Sequence, residues 1–188
     1  TVYRRCYDQT AKYYQIIKHN RFDYVIFGQV WNNYASNHVI NKIGDKRTVE
    51  ASRQRVEKSM REALDIIVAT GAKPVFIKTV YSMPSGFMTC FYENAKLRKD
   101  FADNNCNPKN YKGEGNTWMN QLFAKLKQDY PSLIIIDPKD VQCDKDTCLT
   151  DIEGVPVYRD VGHITDYAST IFGMMYINKM GNPFKENQ

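Results

Sequence analysis

The chain has 188 residues, of which 43% are hydrophobic and 25% charged, with a net charge of +5. Those proportions belong to a globular protein with a substantial core, and no apolar run approaches the ~20 residues needed to span a bilayer. Basic residues are scattered, with Arg53, Arg55, Lys58 and Arg61 standing among Glu50, Glu57 and Glu62; that is a solvated helix face, so no nucleic-acid partner is expected. The first residues, T-V-Y-R-R-C-Y-D, lack the apolar core of a signal peptide. Thirteen tyrosines have two uses, stacking on sugar rings or burial.

Residues 8–20 place Ala11, Tyr14 and Ile17 at helical spacing beside Tyr13 and Ile16, with Asp8 as the expected cap and His19 as a dipole partner at the far end. D-Y-V-I-F-G (23–28) is a continuous apolar run closed by glycine, which predicts a buried parallel strand opening into a loop. That loop, Q-V-W-N-N-Y-A-S-N-H (29–38), carries Gln29, Trp31, Asn32, Asn33 and His38. Loops at strand C-termini hold the ligands of open α/β sheets, although turn-forming Asn and a packed Trp account for the same residues.

A helix is predicted over 48–70, with Val49, Val56, Met60, Leu64, Ile67 and Val68 on one face between a Thr48 cap and Gly71. P-V-F-I-K-T-V (74–80) predicts a second buried strand, and the loop after it holds Ser82 and Ser85, the serines best placed to act. Neither sits in a strained nucleophile elbow, and turn chemistry explains Pro84, Ser85 and Gly86. Glu93–Phe101 is expected to be helical. After a loop, Asn116 caps a helix with Trp118, Met119, Leu122, Phe123 and Leu126 on one face, stopped at Tyr130-Pro131. L-I-I-I-D-P (133–138) predicts a third strand and G-V-P-V-Y-R (154–159) a segment extended against a sheet edge. The last helix is capped by Thr165, faces Ala168, Ile171, Phe172 and Met175 inward and ends near Gly181. Intervals of roughly 50–60 residues between continuous apolar strands predict a parallel sheet in a layered α/β fold.

Cysteines stand at 6, 90, 106, 143 and 148. Neither their spacing nor the His positions supply the paired knuckles of a zinc site. Cys90–Cys106 and Cys143–Cys148 are the expected disulfides, implying an oxidising compartment, and Cys6 is left over.

The chemistry concentrates in G-V-P-V-Y-R-D-V-G-H-I-T-D-Y-A-S (154–169), where Asp160 precedes His163 by three residues. A carboxylate there can accept the Nδ1 proton, fix the tautomer and leave Nε2 as a base toward a hydroxyl nucleophile. The spacing also fits a structural histidine satisfied by the helix start that follows. A metal use requires a further ligand cluster that the sequence does not supply, so neither metal nor cofactor is expected.

That run, following C-D-K-D-T-C, resembles the end of an SGNH-family hydrolase domain, and more narrowly the periplasmic SGNH domains fused behind membrane acyltransferase-3 domains in bacterial surface-polysaccharide O-acetyltransferases. D-Y-V-I-F-G-Q-V-W is similar to the family's third strand and block-III loop, K-P-V-F-I-K-T-V-Y-S-M-P to its fourth strand, and Y-P-S-L-I-I-I-D-P to its fifth. The resemblance implies a three-layer α/β/α fold with a parallel, flavodoxin-like sheet, and Asp160 and His163 as the catalytic pair. It implies serine-type O-acyl transfer or ester hydrolysis on a cell-surface polysaccharide, through an acyl-serine. The implied partners are a glycan acceptor, an acyl donor and an upstream membrane acyltransferase domain, with the protein periplasmic and tethered to the inner membrane. Where the family's third block supplies an oxyanion Asn after Gly, this chain reads G-Q-V-W-N-N; the donor role is open among Gln29, Asn32 and Asn33, with Trp31 beside the substrate. No G-D-S block occurs, and the first two strands have no counterpart before residue 23. Residues 1–188 are therefore expected to be the C-terminal portion of a single SGNH-like domain whose nucleophile lies on an N-terminal segment outside the sequence. The missing serine also fits a second reading, a catalytically inactive glycan-binding or interaction domain.

Overall fold

A computed structural model describes residues 4–83, 85–99, 117–144 and 147–185. The described helices are α1 (Arg4–His19), α2 (Val49–Ala69), α3 (Ser85–Lys96), α4 (Thr117–Asp129), α5 (Lys139–Gln142) and α6 (Asp166–Met180). The chain forms two compact units, one made of residues 1–78 and 116–136, the other of 79–115 and 137–188.

The first unit holds a parallel sheet in the order β1 (Tyr24–Gly28), β2 (Lys73–Ile77), β3 (Ile134–Ile136). The central strand pairs Phe76 with Phe27 on one side and with Ile135 on the other. All three apolar runs form strands as expected, but the ladder is shorter than the runs, and the strand over 23–28 is not the buried one expected: β1 stands at the edge of the sheet among the described residues and leaves Ile26 54% exposed, while burial is concentrated in the central β2. Pro74 is tolerated in the central strand because pairing with β3 begins only at Val75, so its missing N–H breaks no bond on that side. Phe76, 1% exposed, is the centre of the core, with the rings of Trp31, Phe27 and Phe123 at 5.2, 5.4 and 5.9 Å.

Thr48 caps α2 by accepting the Ala51 N–H at 3.2 Å, and Gly71 takes the left-handed conformation after its end, as the sequence predicts. The buried stripe is Ser52, Val56, Met60, Ala63, Leu64 and Ile67. Val49 and Val68, expected on it, are exposed instead. Val49 lies in the first turn and Val68 one residue, about 100°, round from Ile67, so Ser52 and Ala63 occupy the face. Buried Ser52 is satisfied by the Val39 carbonyl at 3.3 Å. Helix α4 buries Met119, Leu122, Phe123 and Leu126 as predicted; its expected cap, Asn116, lies outside the described residues. Polar links hold α4 alongside α2: Glu57 accepts from Lys125 at 2.7 Å and Arg61 at 3.0 Å, Arg61 reaches Asp129 at 2.7 Å, and the Tyr130 hydroxyl donates to Asp65 at 2.6 Å. The Lys125 ammonium and then Arg61 hold the Glu57 carboxyl below the usual carboxylate range. Helix α1 starts at Arg4, so Asp8 lies inside it and does not cap it. His19 ends the helix with Nδ1 at 2.8 Å from the Gln15 carbonyl.

In the second unit α3 begins at Ser85, so the loop after β2 is shorter than the sequence suggests and its second half is helical. Phe87 explains this, since it is buried with Met83, Val141, Val157, Tyr158, Ala168 and Phe172 in this unit's core. Segment 154–159 does not lie along the edge of the large sheet. Val155–Pro156 (β7) pairs antiparallel with Asp151–Ile152 (β6) through Glu153 and Gly154. Both turn residues have positive φ, 52° and 81°, as a two-residue hairpin of matching twist demands.

Cys143 and Cys148 form the expected disulfide across a second short ladder, β4 (Cys143–Asp144) with β5 (Thr147–Cys148). Cys90 is also disulfide-bonded; its expected partner, Cys106, lies outside the described residues. Cys6 is free and exposed. Loop closure of this length is worth about 2 kcal/mol. Replacing Cys143 and Cys148 by serine together is therefore expected to lower stability by about that amount in denaturant titration, and an unchanged midpoint would exclude a stabilising role.

Candidate active site

The Asp160–His163 loop is closed at its base before it carries any chemistry. Tyr158 and Ile164 form an antiparallel bridge. The Arg159 N–H donates to the His163 carbonyl at 3.0 Å, and the Thr165 N–H to the Val157 carbonyl at 2.7 Å. The Thr165 hydroxyl donates to the Pro156 carbonyl and accepts the Ala168 N–H, both at 3.1 Å, so one side chain ends the loop and caps α6. Tyr158, 1% exposed, anchors the loop in the core, where its hydroxyl is 2.7 Å from the Gln142 amide nitrogen.

Within the loop Asp160 folds the backbone around its own carboxylate. Oδ1 accepts the N–H groups of Gly162 at 2.9 Å and of His163 at 2.8 Å, a turn that aspartate forms readily. The same carboxylate meets the imidazole: His163 Nδ1 lies 2.8 Å from Oδ1 and 2.9 Å from Oδ2. A carboxylate only accepts, so Nδ1 carries the proton. The Gly162 N–H, then the His163 ring and N–H, hold the Asp160 carboxyl below its ordinary range. The His163 side chain is 64% exposed, so Nε2 is open to an incoming group. Sequence reasoning found both residues but missed that two backbone N–H groups bind Asp160; the D-x-G-H spacing carries that signal.

A further bond was not legible. The Met83 N–H donates to the Val161 carbonyl at 2.7 Å, which ties the segment after β2 to this loop within the second unit. Ser82 immediately precedes that bond and is exposed, while Ser85 is the first residue of α3.

The remaining candidates stand together at the C-terminal end of β1 in the first unit. Gln29 accepts the Tyr34 hydroxyl at 2.9 Å. Trp31 opens a 3-10 helix (Trp31–Ala35), is 3% exposed and donates its indole N–H to the Ile77 carbonyl at 2.7 Å, with its ring against Phe76 and Phe123. Its position is in the core. Asn32 and Asn33 are exposed on the same helix, the Asn33 N–H donating to the Val30 carbonyl at 3.2 Å. His38 is exposed, its N–H at 3.3 Å from the Ser36 hydroxyl. The pair and the strand-end loop thus belong to different compact units. Among the described residues no helix is long and apolar enough to cross a membrane.

Comparison with known proteins adds two findings. A family model described as "SGNH domain (fused to AT3 domains)" matches residues 1–178. Among solved structures the chain is similar to the periplasmic domain of the lipopolysaccharide acetyltransferase of Salmonella ser. Paratyphi A, with a TM-score of 0.59 and 15% identity. The match covers 93% of this chain and 63% of that one, so the chain spans less than two thirds of the relative's length. At this identity the likeness is one of fold. No curated protein sequence matches the chain.

Proposed function

The chain belongs to the family of SGNH domains fused to AT3 domains, and from that premise we propose that it is a serine-type O-acyltransferase or esterase acting on a bacterial cell-surface polysaccharide. The observation that carries this reading is the Asp160 carboxylate on His163 Nδ1 at 2.8 Å, in an imidazole side chain that is 64% exposed. The acetyltransferase activity in the name of the structural relative supports the same class of substrate.

In the proposed cycle Nε2 of His163 takes the proton from a serine hydroxyl as its oxygen attacks the acyl carbonyl. Asp160 balances the imidazolium that forms. His163 then returns the proton to the leaving group, which departs as the acyl-serine forms. A sugar hydroxyl enters next, gives its proton to Nε2 and attacks the acyl carbon; as the acyl–serine bond breaks, His163 returns that proton to the serine oxygen, and water in place of the sugar gives hydrolysis. Gln29, Asn32 and Asn33 are the candidate donors to the oxyanion, and Trp31 supports their helix from within the core. The reading places the nucleophile on a segment outside these 188 residues, the protein in the periplasm, and a membrane acyltransferase domain upstream of it.

Exposure of the natural protein to a fluorophosphonate, followed by peptide mass mapping, tests this directly. The expected result is one labelled serine, outside residues 1–188. Glycan binding without any labelled serine favours the inactive binding domain, a reading motivated by the lack of G-D-S, and label on Ser82 or Ser85 moves the nucleophile into this chain.

A further inference from the structure

The bonds that build the Asp160–His163 pair are internal to its loop. Asp160 Oδ1 gathers the N–H groups of Gly162 and His163, and the imidazole meets the same carboxylate, so the pair keeps its shape wherever the loop goes. What holds the loop against the rest of the second unit is a different set of contacts. At its crown the Val161 carbonyl accepts the Met83 N–H at 2.7 Å. At its root Tyr158, 1% exposed, has its hydroxyl 2.7 Å from Nε2 of Gln142, which is itself 1% exposed.

Stability alone does not select a glutamine here. Tyr158 packs with Met83, Phe87, Val141, Val157 and Phe172, and in that apolar cluster its hydroxyl is what calls for a polar partner. Burying a primary amide is unfavourable unless its nitrogen and its oxygen are both used. Nε2 of Gln142 is used, on Tyr158 and more loosely on the Leu149 carbonyl at 3.5 Å, while Oε1 has no partner among the described residues. A leucine of similar volume leaves nothing orphaned at that position. Departures of this kind concentrate where function holds a residue in place. The backbone of Gln142 is fixed on both sides: its N–H donates to the Pro138 carbonyl at 2.9 Å, its carbonyl accepts the Leu149 N–H at 2.8 Å, and the Cys143–Cys148 disulfide begins at the next residue. The side chain is therefore a strut with a fixed origin, ending on the tyrosine that precedes Asp160 by two residues.

We propose that Gln142 is a positioning residue for His163: through Tyr158 it sets where the Asp160–His163 loop stands in its unit, without touching substrate. The proposal rests on the acyl-transfer reading above. A general base must lie within hydrogen-bond reach of the hydroxyl it deprotonates, and a displacement of ~1 Å costs about 10²-fold in rate. Loss of the strut frees the loop at its root and moves the pair as one body, with the Asp160 carboxylate still on Nδ1. The loss then falls on kcat, while the pH dependence set by the pair stays as it was.

Gln142→Leu, Tyr158→Phe and the double variant test this in the natural gene product, with His163→Ala alongside. Each single variant leaves one buried group without its partner and is expected to melt lower; the double variant removes both groups and is expected to melt close to the parent. Turnover is taken per folded protein, with circular dichroism at the assay temperature, so a fall in stability does not register as a fall in rate. All three variants are expected to lose about 10- to 100-fold in kcat for p-nitrophenyl acetate, with KM and the pH midpoint unmoved. A double variant that regains the parent's kcat along with its stability overturns the proposal, because Gln142 then serves the fold alone. Parental kcat in either single variant overturns it too, as does a shifted pH midpoint, which would mean that the pair itself is disturbed. Turnover retained by His163→Ala sinks the acyl-transfer reading, and positioning falls with it; an inert His163→Ala beside a fully active double variant removes the positioning alone.

Discussion

His163→Ala is expected to lower p-nitrophenyl acetate turnover by the natural protein by about 10⁴-fold or more, since removing the base of a triad costs nearly as much as removing the triad. Asp160→Asn is the more informative partner. Its amide oxygen can still accept the N–H groups of Gly162 and His163, so the loop keeps its turn. What it loses is the charge beside the imidazolium and the acceptor that fixes the Nδ1 proton, a loss of about 10⁴-fold where such a substitution leaves the geometry intact. Unchanged turnover in His163→Ala would sink the catalytic reading. The pH dependence follows from the sign of the Asp160 shift. Its carboxyl is depressed in the folded protein by bonds from Gly162 and His163. Its contribution is fully present above the ordinary carboxylate value of about 3.9 and is lost only as the pH falls through the lower folded value. Asp160 is thus ionised throughout mildly acidic conditions. A break in kcat/KM near an ordinary carboxylate pKa that vanishes in Asp160→Asn would contradict this geometry.

Phe76→Ala is expected to cost about 3–5 kcal/mol in denaturant unfolding, because the ring is fully buried and the cavity has few ways to collapse. Three aromatic rings surround it, within 5.9 Å, and two of them, Trp31 and Phe123, are themselves nearly inaccessible. Phe76→Leu, which keeps most of the volume, should cost less, about 1–2 kcal/mol. Ile43→Ala, at a site 89% exposed, is expected to stay within about 0.5 kcal/mol of the parent. If Phe76→Ala costs no more than Ile43→Ala, the aromatic cluster is not the core of the first unit.

The three strands of the sheet were legible because each is a continuous apolar run, although such a run marks burial on both faces only in the central strand: β1 leaves Ile26 54% exposed and β3 is half-buried throughout. The last helix was legible from Thr165 at one end and Gly181 at the other, both of which cap it. The start of α3 was not, because the turn chemistry of P-S-G also suits the first turn of a helix, and only burial of Phe87 decides between them. Segment 154–159 misled for a related reason: its alternation says that it is extended, but its partner is fixed by the Glu153–Gly154 turn, two residues whose positive φ is a local matter. At the site, Asp160 and His163 could be read from spacing because their geometry is local. Trp31 could not be placed, since an indole at a strand end looks the same in sequence whether it faces a ligand or the Ile77 carbonyl.

The closure of the 158–165 loop has a consequence for durability. A protease binds its substrate extended, and drawing this segment into that form breaks the bonds of Arg159, Gly162, His163 and Thr165 together with the Tyr158–Ile164 bridge. Side-chain accessibility and backbone vulnerability are thereby separated: the imidazole stands open to solvent, its side chain 64% exposed, while the chain that carries it offers no slack to cut.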